Sequence, residues 1–139
     1  MRNNLDESVK AVVGIAPTAY DPTTKNGTGF DCMGFDDALV IVNCQTTATT
    51  GTLNIKVQES SDDDVADSYA DVTDATFTEI DEDNDNTIYV GRVDLSGRER
   101  YLRIVGVVAT AASNFGVTVI LGDKSLEPVS QVNDVEFSV

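Results

Sequence analysis

Histidine and tryptophan are missing from this 139-residue chain, basic residues are few, and there are only two cysteines. Each shortage excludes something. Without His there is no Ser-His-Asp or Cys-His arrangement and no imidazole general base. Without Trp, and with only four Tyr, there is little from which to build an aromatic platform for a sugar. No Gly-rich loop leads into a helix to cradle a phosphate. The longest apolar runs, such as Ala38 to Val42, fall far short of the ~20 residues a membrane-spanning helix needs. The opening stretch "MRNNLDESVKAVVGIAPTAY" has no long apolar segment behind a basic start. A secretory signal is therefore not expected, and use in a cytosol is.

Cys32 and Cys44 allow one bridge at most. Most of "MGFDDALVIVN" between them reads as an extended strand. Eight strand residues separate their ends by ~26 Å, whereas a disulfide needs Cα atoms within about 7 Å. Two free thiols are expected, as in a reducing compartment. Two isolated cysteines are also too few for a zinc site.

Charge of one sign is scarce as well. Nine basic residues face 24 acidic ones, a net charge of -15. Such a surface repels nucleic acid and anionic membranes, so neither is an expected partner, and it keeps a crowded protein in solution.

What is present is strand grammar. Hydrophobic residues make up 41% of the chain, enough for one folded domain of this length. "TLNIKVQES" alternates, with Leu53, Ile55 and Val57 on one side and Thr52, Asn54, Lys56 and Gln58 on the other. "FDDALVIVNC" reads as a strand buried on both sides, "YDPTTKNGTG" as a turn, and "SDDDVADS" as an acidic loop. β-Branched residues are abundant, turns recur at regular spacing, and no window has helical periodicity. The expected fold is all-β, an antiparallel β-sandwich of about eight strands, jelly-roll-like or immunoglobulin-like. Residues 1–10 read as a flexible arm, 11–125 as the sandwich, and 126–139 as a tail contacting a neighbouring subunit.

Apolar surface exceeds what one small sandwich hides. In "RYLRIVGVVA" Leu102, Ile104, Gly106 and Val108 take one face, leaving Val105 and Val107 beside Tyr101 and Arg103 on the other. In "FGVTVILG" Phe115, Val117, Val119 and Leu121 share a side, with Ile120 opposite. At the end of the chain Val135, Phe137 and Val139 alternate with Glu136 and Ser138. The candidate contact residues are thus Val105, Val107, Ile120, Val135, Phe137 and Val139.

No catalytic or cofactor-binding residue is assigned. "DEDNDN" places Asp81, Asp83 and Asp85 at alternate positions, as in the first half of an EF-hand loop. That loop needs Gly sixth and Glu twelfth, and this chain has Asn86 and Arg92 there. The three aspartates, with Asp62, Asp63 and Asp64, are left as a weak candidate cation site against the plainer reading of a solvated acidic turn.

The elements "KVQES", "DVTDATFTEID", "NTIYVGRVDL", "RYLRIV" and "FGVTVILGD" occur in that order between Lys56 and Asp123, within a stretch of resemblance that covers roughly residues 35 to 123. In order and spacing they resemble the head decoration (cement) proteins of tailed bacteriophages. That resemblance implies a structural virion protein with no cofactor, a homotrimer bound to the major capsid protein on the outer surface of the head and assembled in the host cytoplasm. "SSDDDVADS" and the tail after Asp123 lie outside the pattern. The competing readings are a carbohydrate- or receptor-binding sandwich of a tail or fibre, a hydrolase using paired acids, and an unrelated cytosolic oligomer.

Overall fold

The structure, a computed structural model, describes residues 4–124. The expected tail, with Val135, Phe137 and Val139, lies outside the described residues. Nine strands follow a single helical turn, Leu5–Ser8, that falls within the expected arm: β1 Lys10–Tyr20, β2 Thr23–Asn26, β3 Phe30–Asp31, β4 Phe35–Thr47, β5 Thr52–Ser60, β6 Ala70–Thr76, β7 Thr87–Asp94, β8 Tyr101–Ala109 and β9 Ser113–Lys124. They form two sheets. One runs β1-β9-β4-β7; the other runs β2-β8-β5-β6, with β3 also pairing β8. Every named strand pair is antiparallel.

The order decides between the two expected topologies. An immunoglobulin fold keeps sequential strands A and B in one sheet. Here β1 and β2, β4 and β5, β6 and β7, and β8 and β9 each pass from one sheet to the other. This is jelly-roll winding, with two four-strand sheets closing over one core and β3 as an addition.

Period-two patterning explains the packing. The inward positions of β5 (Leu53, Ile55, Val57), β8 (Leu102, Ile104, Val108) and β9 (Phe115, Val117, Val119, Leu121) are all buried, as the alternation requires. Ile15, Ala38, Val40, Val42 and Cys44 meet them from the other strands of the first sheet. Two sequence readings need correction. β4 is not buried on both sides: Ala38, Val40, Val42 and Cys44 point to the core, while Leu39 and Ile41 stand on the outer face. "PTTKNG" is not only a turn, because Thr23–Asn26 pairs with Val105–Val108 of β8. A four-residue, wholly polar strand carries no hydrophobic period, so its ladder is visible only from its partner.

Both cysteines are buried and unpaired. Burial pushes the Cys32 thiol up to about 12, helped by the nearby Asp31 charge. Burial also raises Cys44, against a weak contact with the Thr47 hydroxyl. Two predictions follow from this packing. A thiol reagent at pH 8 should leave the native chain unlabelled and titrate both thiols only after denaturation, since reaction needs an accessible thiolate; rapid native labelling would contradict the burial. Gly27 lies where a Cβ would sit 2.1 Å from the Gly14 carbonyl oxygen and 2.8 Å from that of Ile104. Backbone on both sides cannot yield, so Gly27→Ala should lower stability by about 2–3 kcal/mol, read as a lower urea midpoint at unchanged slope.

Candidate contact face

The two outer faces differ in chemistry. On the β2-β8-β5-β6 sheet the outward side chains form a polar lattice. Arg103 donates to Gln58 at 2.8 Å and its guanidinium lies 4.3 Å from the centre of the Tyr69 ring. Lys56 and Gln58 both donate to Asp71 at 2.8 and 2.6 Å. Tyr69 donates to Asp63 at 2.6 Å. Val105 is on this side but only 2% exposed, between Asn26 and Lys56 in register. It is covered within one chain and is not part of an open surface. Val107 is half-buried between Thr24 and Asn54.

The outer face of the β1-β9-β4-β7 sheet is apolar at its centre, and the register shows why. One cross-strand row reads Ala11, Ile120, Leu39, Arg92; the next reads Val13, Thr118, Ile41, Val90; a third reads Gly116, Asn43, Ile88. Side chains opposite one another on a sheet face are neighbours, so Val13, Ile120, Leu39, Ile41, Ile88 and Val90 make one surface. Val13 is 63% exposed, Ile88 60%, Val90 57% and Leu39 38%. At ~4.8 Å between strands and ~6.7 Å between rows each side chain covers ~32 Å², so the six make an apolar patch on the order of 200 Å². It is contiguous, which sets it apart from the singly scattered apolar residues normal on a monomer.

The rim of this face is asymmetric. Arg92 sits at one end and donates through Nε and Nη2 to Asp37 at 3.0 and 2.9 Å, with Asp94 and Asp123 close enough to raise its pKa further. At the other end are the amides Asn43, Gln45, Asn86 and Asn114, which line a groove of about 680 Å³ between Val13, Pro17 and Ile88. Of the described contact residues read from sequence, Val105, Val107 and Ile120, only Ile120 lies on this face. Val13, Leu39, Ile41, Ile88 and Val90 were missed, because the period within each strand does not reveal which strands will lie side by side.

The acidic turns are built inward on their own backbone. Asp81 accepts from Asp83 N–H at 3.1 Å, and Asn84 accepts from Asp81 N–H at 3.1 Å, a capping box around a 3₁₀ turn at Glu82–Asn84. Asp85 accepts the Thr47 N–H at 2.9 Å, next to the register shift between Cys44 and Thr46. Asp62 accepts from Val65, Ala66 and Asp67 N–H. The first turn adjoins the start of β5, where Leu53 bridges Ile80. Asp62–Asp64 follow its end, ~27 Å away along a nine-residue strand. A cation site shared between them is excluded. Among the described residues no three acidic or cysteine side chains gather to hold an ion.

No family model matches the chain, and no curated protein matches it by sequence. Solved structures do share its fold. The SPBc2 prophage-derived protein YomS aligns with a TM-score of 0.53 over 81% of this chain and 91% of its own, at 14% identity. A chain from the infectious bursal disease virus Gx strain aligns at 0.56 over 81% of this chain, with 9% identity. The VP2 subviral particle of that virus aligns at 0.51 over 84%, with 8% identity. This chain spans about a third of the length of those two virus chains. At such identities the likeness is one of fold.

The hydrogen bonds define a pH dependence. Backbone N–H donors hold Asp62 and Asp67 below the ordinary carboxylate value of 3.8, Lys56 does so for Asp71, and the Arg100 fork does so for Asp31. A depressed folded pKa gives stability that is complete above the unfolded value and lost as pH falls through the folded one. Glu99 has the opposite sign: desolvation and its neighbours Asp67 and Glu59 raise its pKa, so its ionisation destabilises. The melting temperature should therefore hold or rise slightly from pH 7 to about 5 and fall below about 3.8. A steady rise down to pH 3 would show that these bonds do not outweigh general charge repulsion.

Proposed function

We propose that this chain is a structural protein of a virion, a decoration or cement protein that seats on the outside of a phage head and stabilises it, and that it does no catalysis. The observation that carries this reading is the registered apolar face of the β1-β9-β4-β7 sheet, set in an otherwise acidic surface. Such a face fits another protein surface, with Leu39, Ile41, Ile120 and Val90 at its dry centre and Asp37, Asp94 and Asp123 on its rim. A capsid partner with an apolar spot flanked by basic groups complements it. Jelly rolls recur in viral capsids, and the shared fold with a prophage-derived protein and with virus chains supports the assignment. Net charge of -15 suits a protein held at high copy number outside a packaged genome. The proposed assembly is a homotrimer bound to the major capsid protein.

The deciding experiment is to locate the protein in a reconstruction of purified particles, where density of its size on the outer head surface is expected. Its presence only on tails or fibres would support the receptor-binding reading instead. In solution, light scattering at micromolar concentration should give about three times the 14.9 kDa chain mass. The double variant Val13→Ser, Leu39→Ser should weaken binding to purified heads at unchanged oligomer mass and change stability by no more than about 1 kcal/mol, because both side chains are partly exposed. A wild-type monomer would overturn the assembly.

A further inference from the structure

We infer that Asn26–Gly27 is a deamidation site which the fold holds shut, and that opening of β2 converts it in one direction, to a chain that cannot close the strand again. The inference concerns the covalent fate of the chain and does not rest on the virion reading.

The chemistry starts from the sequence. Asn26 is the one asparagine followed by glycine. In such a pair the backbone nitrogen of the glycine attacks the side-chain carbonyl carbon of the asparagine, because no Cβ crowds that nitrogen and the glycine backbone turns freely. The bond from Gly27 N to Asn26 Cγ forms and the Cγ–Nδ2 bond breaks. Nδ2 leaves as ammonia, taking with it the proton of the Gly27 amide, and a five-membered succinimide remains. Water then opens the ring. Cleavage between Gly27 N and Cγ gives aspartate on a normal main chain. Cleavage between Gly27 N and the Asn26 backbone carbonyl carbon gives isoaspartate, whose main chain runs through Cβ and Cγ. Water is the one co-reactant.

The fold blocks the first step twice. Asn26 pairs with Val105 in the extended ladder of β2 on β8, and ring closure needs the chain to fold back on itself there. The attacking nitrogen is also engaged, since the Gly27 N–H donates to the Ile104 carbonyl oxygen at 2.7 Å. The buried Gly14 of β1 closes the other side of this clamp. The Asn26 side chain itself is exposed, so burial does not protect it. Protection falls to the β2 ladder. That ladder is four polar residues long and lies at the edge of its sheet. With no apolar side chain to anchor it, β2 belongs to the segments that open locally at less cost than the whole domain.

The clamp makes the conversion one-way. Isoaspartate adds one carbon, about 1.5 Å, to the main chain just before Gly27. A single Cβ on Gly27 would already stand 2.1 Å from the Gly14 carbonyl oxygen and 2.8 Å from that of Ile104. The lengthened chain cannot keep both the bond to Ile104 and the place beside Gly14.

The test holds the full chain at pH 8 in native buffer and in guanidinium. Mass spectrometry of the peptide carrying residues 26 and 27, with isoaspartyl methyltransferase labelling, follows the reaction. The native chain should react at least about tenfold more slowly than the unfolded one. Equal rates, or no reaction in guanidinium, would overturn the inference. Ladder bonds recur at alternate residues, so the Lys25 N–H faces Gly106 as that of Gly27 faces Ile104. Lys25→Pro removes that donor and should bring the rate in buffer close to the unfolded rate. A Lys25→Pro chain that folds and stays as slow as wild type would show that β2 is not the gate. Where that variant does not fold, the wild-type comparison and refolding decide. Returned to buffer, the isoaspartate chain should show a lower urea midpoint than wild type, whereas Asn26→Asp, with the same charge on a normal main chain, keeps it. A wild-type midpoint for the isoaspartate chain would overturn the one-way step.

Discussion

The pairing of β4 with β9 is the contact on which the rest of the molecule depends. These are the two longest strands, joined from Phe35↔Lys124 to Thr47↔Ser113. β4 carries β7 on its other side and β9 carries β1, so the whole first sheet is hung on this pair. Their inward residues form one wall of the core, and their outward residues form the middle of the apolar face. The partners lie between 66 (Thr47↔Ser113) and 89 (Phe35↔Lys124) residues apart in sequence. Closing so long a loop must precede the reward of pairing, which makes this topology a slow one to fold. It also ties core and contact face together. A substitution that shifts the β4–β9 register by one residue would exchange core and surface across the sheet.

How much of this was legible in the sequence depends on range. Alternation within a strand is local, and it placed Leu53, Ile55 and Val57, and Phe115, Val117, Val119 and Leu121, on the correct face. Free thiols were legible too, because strand length alone keeps Cys32 from Cys44. The contact face was not. Ile88 and Val90 lie in "TIYVGRVD" and Leu39 and Ile41 in "ALVIV", segments read one at a time. They become neighbours only through the ladder between β4 and β7. Val105 failed for the converse reason: its outward position was read correctly, yet it is buried within the chain. Local pattern gives the side of a strand on which a residue lies, and tertiary assembly decides whether that side stays open.

The acidity works at two scales. Locally, many carboxylates serve as acceptors for backbone N–H groups that turns and bulges leave unpaired, and an unpaired buried N–H is expensive. Asp85 takes the Thr47 N–H beside a break in the β4 register, and Asp62 takes three consecutive amides in the loop after β5. This is why a run that imitates half an EF-hand loop holds a turn. Globally the same groups sum to a negative field. The cations do little to relieve it, since Lys56, Arg92, Arg98 and Arg100 are each held by a neighbouring carboxylate.

That combination constrains how the protein can meet a partner. A chain with so much unbalanced negative charge repels its own copies at long range, more weakly as salt shortens the Debye length to about 8 Å at physiological strength. Association must therefore rest on short-range burial, and the face that can supply it is the one where charge gives way to Val13, Ile120, Leu39, Ile41, Ile88 and Val90. The opposite sheet face offers no such purchase. Its long side chains are already joined to one another by Arg103–Gln58, Lys56–Asp71 and Tyr69–Asp63 contacts, and covering it would strip water from ion pairs that gain little in return. The asymmetry of the two faces thus gives the molecule an orientation: one sheet face suited to burial against a protein surface, the other to water.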